Sequence, residues 1–189
     1  MQTEKGYENM LLSYRECLEK YGTDYMIKKN LEGETLFLVE KGLYSDRSYV
    51  PYLEVIAKKY GNGILTLHSA FYYHGLTDTI PQYYYLSTPK NCRKIENEKV
   101  KQLYENSAAF ELGKTTLNYD GVDITIYNKE RLLIELVRNK RKFSFDMYKE
   151  IINNYRKIAD ELDVAMIAEY AYELPKTNMV METLRLEVF

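Results

Sequence analysis

An α+β fold is what this sequence predicts: an abbreviated N-terminal winged-helix-like module, then a mixed α/β domain with a small central sheet and C-terminal helices. Three observations carry that reading. Apolar residues recur at helical spacing at both ends of the chain. Short β-rich runs bounded by turn residues concentrate in the middle. No repeat, low-complexity stretch or Gly/Ser linker interrupts the sequence, so the expected division is 1–50 for the module and 51–189 for the larger domain.

Tyr7 to Tyr21 reads as a helix, because Met10, Leu11, Tyr14, Leu18 and Tyr21 fall at three- and four-residue steps. Gly22 stops it, and Thr23 can cap a second helix over Asp24–Leu31, with Gly33 beyond its end. Thr35–Val39 alternates like a strand, Glu40-Lys41-Gly42 turns, and Leu43-Tyr44 pairs back. A third helix is expected from Ser48 to Tyr60, with Pro51 tolerated in its first turn. Ile64–Leu67 is a short apolar run, Ser69–His74 a helical segment, and Gln82–Ser87 a tyrosine-rich strand broken by Thr88-Pro89-Lys90-Asn91. Thr115–Tyr119 and Val122–Tyr127 flank Asp120-Gly121, the dipeptide that suits a two-residue hairpin turn with positive φ. Asn128 should cap a helix to about Asn139, Asp146 one to Ile158, Asp163 one to Tyr172, and Pro175 opens a last one over Lys176–Leu186.

Composition narrows the function. The formal net charge is −2, so a chain-wide basic field for nucleic acid is absent, and any such contact must come from a local patch. Over the first 50 residues seven Lys and Arg stand against nine Asp and Glu. Cys17 and Cys92 form no CxxC, which points to neither a zinc site nor a disulfide framework. Met1–Tyr7 is polar and no stretch approaches the roughly 18 apolar residues of a membrane span, so a cytoplasmic protein without a membrane partner is expected. Twenty tyrosines and no tryptophan favour core edges and interfaces, where an apolar ring with a polar tip fits.

Tests for catalytic chemistry return no candidate. His68 and His74 stand six residues apart, about 240° around a helix, and so miss the i, i+4 spacing of a metal-binding helix. GxSxG, GxxxxGK[ST] and GxGxxG are all missing. Asp120 and Asp123 imitate a metal-binding acid pair, but no Gly-Ser precedes them, and Glu135 lacks the lysine two residues on that a restriction-type nuclease needs. No catalytic residue, metal or cofactor is therefore expected. Two basic features remain. One is Arg138, Lys140, Arg141 and Lys142 at a helix end, with Arg156 and Lys157 a helix later. The other is Lys90, Arg93 and Lys94 after the tyrosine strand. Cations at a helix C-terminus complement its dipole, but four in five residues also suit a partner-binding face.

Several segments resemble one family. Leu43-Tyr44-Ser45 after a Lys41-Gly42 turn looks like the end of the wing in AbiEi-type antitoxins. Leu65–Asp78 (LTLHSAFYYHGLTD) resembles that family's helix with a His-Ser-Ala start and a His-Gly-Leu-Thr end, and Tyr83–Lys90 (YYYLSTPK) its central strand. Asp120–Phe143 (DGVDITIYNKERLLIELVRNKRKF) is similar to its hairpin and the helix that follows. The resemblance spans most of the chain from about Glu32. It implies an antitoxin and transcriptional regulator of a type IV, abortive-infection toxin–antitoxin system of the kind used in phage defence. An N-terminal winged helix would bind repeats in its own promoter, and a C-terminal domain would counter a neighbouring nucleotidyltransferase toxin. Carried over to this sequence, Thr23, Tyr25, Lys28 and Lys29 would face DNA from the reading helix, with Lys41 on the wing. Only Gly22-Thr23 separates the first two helices, where the family has a further helix, so a full helix-turn-helix is not expected. That departure favours an alternative, a protein-interaction module of the same fold that has lost DNA binding. A cryptic enzyme acting on nucleotides or nucleic acid is the third possibility.

Overall fold

The computed structural model describes residues 10–189, and the chain divides into two compact units, Met1–Lys59 and Tyr60–Phe189. The fold is α+β, as the pattern of elements predicts. The expected helix start at Tyr7 and the polar Met1–Tyr7 segment lie outside the described residues, apart from the helix's later turns.

In the first unit the strand β1 (Leu11–Ser13) precedes helices α1 (Tyr14–Tyr21) and α2 (Asp24–Glu32). Strands β2 (Phe37–Glu40) and β3 (Leu43–Ser45) follow, then helix α3 (Tyr52–Lys59). The sheet runs in the order β1-β3-β2 and is antiparallel throughout. Leu11 and Leu12 are therefore strand, not helix. Their alternation sends them to opposite faces of the sheet: Leu11 joins Leu43 and Val55, while Leu12 packs on Cys17, Ile27 and Leu36. One face is thus covered by α3 and the other by α1 and α2. Val55 lies at the heart of this core, which is why the first unit extends to Lys59, beyond the boundary at residue 50 read from the sequence.

The strand shortens the first helix and leaves its junction with the second as expected. Gly22, at φ 84°, ends α1 by donating its N–H to the Leu18 carbonyl at 2.8 Å, and Thr23 caps α2 at once. A helix, a glycine turn and a second helix, followed by a hairpin whose inner strand pairs with β1, make up the abbreviated winged-helix-like module that the sequence predicts. As expected, only Gly22-Thr23 separates the two helices and no further helix lies between Tyr21 and Leu36; what differs is residues 11–13, which carry helical spacing but pair through their backbone with β3.

The second unit holds a five-stranded mixed sheet. Its strands are β4 (Ile64–Leu65), β5 (Tyr84–Pro89), β6 (Val100–Glu105), β7 (Lys114–Tyr119) and β8 (Val122–Tyr127), in the order β6-β5-β4-β8-β7. Helix α4 (Leu67–Tyr73) follows β4, and a five-residue helix α5 (Ser107–Glu111) follows β6. The hairpin β7–β8 turns on Asp120 at φ 49° and Gly121 at φ 83°, as that dipeptide predicts. Beyond the sheet come α6 (Lys129–Arg138), α7 (Phe145–Lys157), α8 (Val164–Glu173) and α9 (Thr177–Glu187). Ser144, not Asp146, caps α7, its hydroxyl accepting from the Met147 N–H at 3.3 Å, and Asp146 sits in the first turn where a negative charge suits the dipole. Helix α6 is the centre of the unit: every residue from Arg131 to Val137 is buried, against α4, α8 and α9.

Candidate functional site

The exposed side of α2 and the wing form the first candidate surface. Thr23 is occupied as a cap, its hydroxyl accepting from the Met26 N–H at 3.3 Å. Tyr25 is 72% exposed, and Lys28 and Lys29 lie one turn further along the helix, also exposed. Ile27 between them is buried in the core, which fixes the lysines outward. Lys41 is exposed in the turn between β2 and β3.

The charges of this unit are sorted, although their totals nearly cancel. Glu16 pairs with Lys58 and Glu40 with Lys59, each at 2.6 Å. Glu54 pairs with Arg47, Glu19 with Arg15, and Asp24 accepts from the Tyr14 hydroxyl. Lys28, Lys29 and Lys41 make no ion pair among the described residues. Four of the unit's eight described acids are thus paired with cations elsewhere, and the lysines of α2 and the wing stay available. Glu32, at the end of α2, is the exposed acid nearest to them along the helix.

The basic residues of the second unit are more heavily engaged than their spacing suggests. Arg138 is mostly buried and binds Glu135 at 2.7 Å, so it belongs to the core of α6. Lys140 pairs with Glu187 at 3.0 Å and lies 4.2 Å above the Tyr148 ring. Arg156 donates through Nε to the Glu187 carbonyl at 2.6 Å, and Lys157 to Asn154 Oδ1 at 2.9 Å. Arg141 and Lys142 remain exposed, in a 3-10 turn between α6 and α7. Lys90, Arg93 and Lys94 are exposed in the loop between β5 and β6, a loop held by Gln102, which donates to the Arg93 carbonyl at 3.1 Å. The structure therefore brings Lys140 and Arg156 together at the end of α9.

The two histidines have structural partners. His68 is stacked between Tyr85 and Phe143, with ring centroids 4.6 Å away on each side, and burial followed by the nearby Lys142 charge lowers its pKa. His74 ends α4, its Nε2 meeting the Tyr127 carbonyl at 2.8 Å, and burial lowers its pKa despite that contact. No group of three or more potential metal ligands occurs among the described residues.

A buried ionic network in α6 went unread in the sequence. Arg131 is fully buried and binds Glu135 at 2.8 Å and Glu105 at 3.5 Å. Glu135 in turn accepts from Arg138 and from Asn139 Nδ2, both at 2.7 Å. The spacing of Arg131, Glu135 and Arg138 at four and three residues is the available signal, since such residues share a helix face.

Neither a scan of known protein families nor a search of curated proteins finds a match to this chain. Among solved structures, the chain is similar to the Rv2827c protein of Mycobacterium tuberculosis, with a TM-score of 0.61 and 14% identity over 93% of this chain and 71% of that one. At that identity the likeness shows a shared fold. No helix among the described residues is long and apolar enough to cross a membrane.

Proposed function

We propose that this protein is the antitoxin of a two-gene toxin–antitoxin system, countering a nucleotidyltransferase toxin and binding its own promoter through α2 and the wing. One observation carries the DNA-binding half: a winged-helix-like unit whose outward lysines on α2 and the wing make no ion pair among the described residues, while four of the unit's glutamates are paired elsewhere. Such a unit meets DNA mainly through phosphates, with the second helix in the major groove. The antitoxin half is supported by the resemblance of Leu65–Asp78 and Asp120–Phe143 to the AbiEi-type family, and by the pairing of a winged unit with an α+β unit. A non-enzymatic role accords with histidines spent on stacking and on a helix end.

The test has two arms. Co-expression with the nucleotidyltransferase encoded next to it should rescue growth, and the protein should retard a fragment of its own promoter. Replacing Lys28, Lys29 and Lys41 by alanine should weaken promoter binding and lower the log–log salt slope by about 1 per lysine. Rescue should persist in that variant. Absence of any promoter binding by the wild type would leave the protein-interaction reading in place, which the exposed Asp24 and Glu32 at the two ends of α2 favour. Absence of rescue removes the antitoxin reading.

A further inference from the structure

Phe145, Tyr148, Lys149, Ile152 and Arg156 recur at three- and four-residue steps along one side of α7. With Lys140, Asn153 and Glu187 they line a cleft of about 230 Å³ within the second unit. Tyr148 and Ile152 are buried in its floor, while Lys140, Lys149 and Arg156 are exposed at its rim. Phe145 stands there 70% exposed, an uncommon position for an aromatic ring with no polar tip.

The cleft carries three cations and a single carboxylate, and that carboxylate shows what it accepts. Glu187 takes the Lys140 ammonium on one oxygen at 3.0 Å and the Tyr148 hydroxyl on the other at 2.6 Å, while Arg156 holds its main-chain carbonyl at 2.6 Å. Burial acts to raise the Glu187 pKa, and the Tyr148 and Lys140 hydrogen bonds together with the neighbouring cations more than reverse it. Lys149 has no acid within ion-pair distance among the described residues and lies 4.8 Å above the Phe145 ring.

We infer that this cleft is a docking site for an acidic segment of a protein partner. A carboxylate of that segment pairs with Lys149 beside Glu187, and an apolar neighbour covers Phe145. Charge complementarity selects the partner: the cleft keeps a positive excess after Glu187 is counted. The chain's own Leu186-Glu187-Val188-Phe189, an acid among apolar residues, is the pattern already seated at its edge. A nucleic-acid duplex carries a charge about every 1.7 Å and calls for a file of free cations. Here Lys140 and Arg156 are already bonded to Glu187, which leaves Lys149 alone. The inference goes beyond the antitoxin reading and does not depend on it.

Fluorescence anisotropy with the full chain tests it. The probe is a labelled synthetic peptide of alternating glutamate and phenylalanine, with an all-glutamine counterpart and an oligothymidylate of equal length as controls. The glutamate peptide should bind, and the glutamine peptide should not. Lys149→Glu should weaken binding at least about tenfold and Phe145→Ser by a smaller factor, both with unchanged circular dichroism. Glu187→Gln should strengthen binding, because it removes the cleft's one carboxylate and the ion pair that holds Lys140, while Arg156 keeps its main-chain carbonyl; a purely structural role for this cluster predicts no gain. Binding unaffected by Lys149→Glu, tighter binding of the oligothymidylate, or no peptide binding at about 1 mM overturns the inference.

Discussion

Arg131 sets the terms at the residue scale. Its guanidinium is fully buried, and Nε and Nη1 meet no acceptor among the described residues, so its charge rests on Glu135 and, more distantly, on Glu105. Tyr127 adds a ring face 5.1 Å from the guanidinium carbon. A buried pair of this kind is costly to break, because the surviving charge is left without compensation. Glu135→Leu should therefore destabilise the protein by about 3–5 kcal/mol in urea unfolding, since Arg131 and Arg138 both lose their acceptor. A loss under about 1 kcal/mol would mean that Glu105, partly exposed and 3.5 Å away, suffices alone. The four-residue spacing of Arg131 and Glu135 is visible in the sequence, but their burial is not. It follows from α4, α8 and α9 closing around α6, a contact set that no local pattern encodes. For the same reason Arg138 reads as part of a basic surface and is found inside the core network.

At the scale of elements, the junction of β1 and α1 is held by a capping box. Ser13 Oγ accepts from the Glu16 N–H at 3.3 Å, and Glu16 Oε2 accepts from the Ser13 N–H at 2.7 Å. The Lys58 ammonium on the other oxygen and the Ser13 N–H hold the Glu16 carboxyl down to about 2. A depressed carboxyl stabilises the fold above its unfolded value of about 4.5, and the contribution is lost as pH falls toward 2. Glu16→Gln should therefore flatten the acid limb of the stability curve across that window while changing little below it, and an NMR titration of Glu16 with a midpoint near 4.5 would contradict this. Gly113, at φ 76°, gives a second test. A Cβ there would stand 2.5 Å from the Arg131 Cβ and 2.8 Å from Asn128 Oδ1, whereas Gly121 in the hairpin turn has open space around it. Gly121→Ala should cost about 1 kcal/mol from backbone strain alone, and Gly113→Ala clearly more, read from paired thermal melts. The hairpin and the capped helices were legible because turn chemistry and apolar spacing are local. Strand β6 and helix α5 were not: Val100–Glu105 is largely polar, and it becomes a strand by pairing in parallel with β5 across six residues. Leu11–Ser13 misled in the opposite sense, with helical spacing overridden by pairing to β3.

For the whole molecule, the division after Lys59 separates two kinds of chemistry. The first unit holds α1, α2, the wing and the lysines outside ion pairs, and its core is two small clusters around Leu11, Leu43 and Val55 and around Cys17, Ile27 and Leu36. The second unit surrounds α6 with a five-stranded sheet and helices, and it contains the α7–α9 cleft and most of the segments with a family resemblance. Burial grows with chain length: a unit near 60 residues buries only about 60% of its unfolded surface and is marginal alone, whereas one well over 100 residues is comfortably stable. Tyr60–Phe189 expressed separately should thus melt cooperatively, while Met1–Lys59 should melt at a lower temperature or not fold. Under the proposed function, the isolated second unit should still rescue growth from the toxin and should no longer retard promoter DNA. Rescue that requires both units would mean that the winged unit takes part in antagonism. Promoter binding retained by the second unit would transfer DNA recognition from α2 to that unit, with Lys90, Arg93, Lys94, Arg141 and Lys142 among its exposed cations outside the cleft. Growth rescue and gel retardation on the same fragment decide between these outcomes.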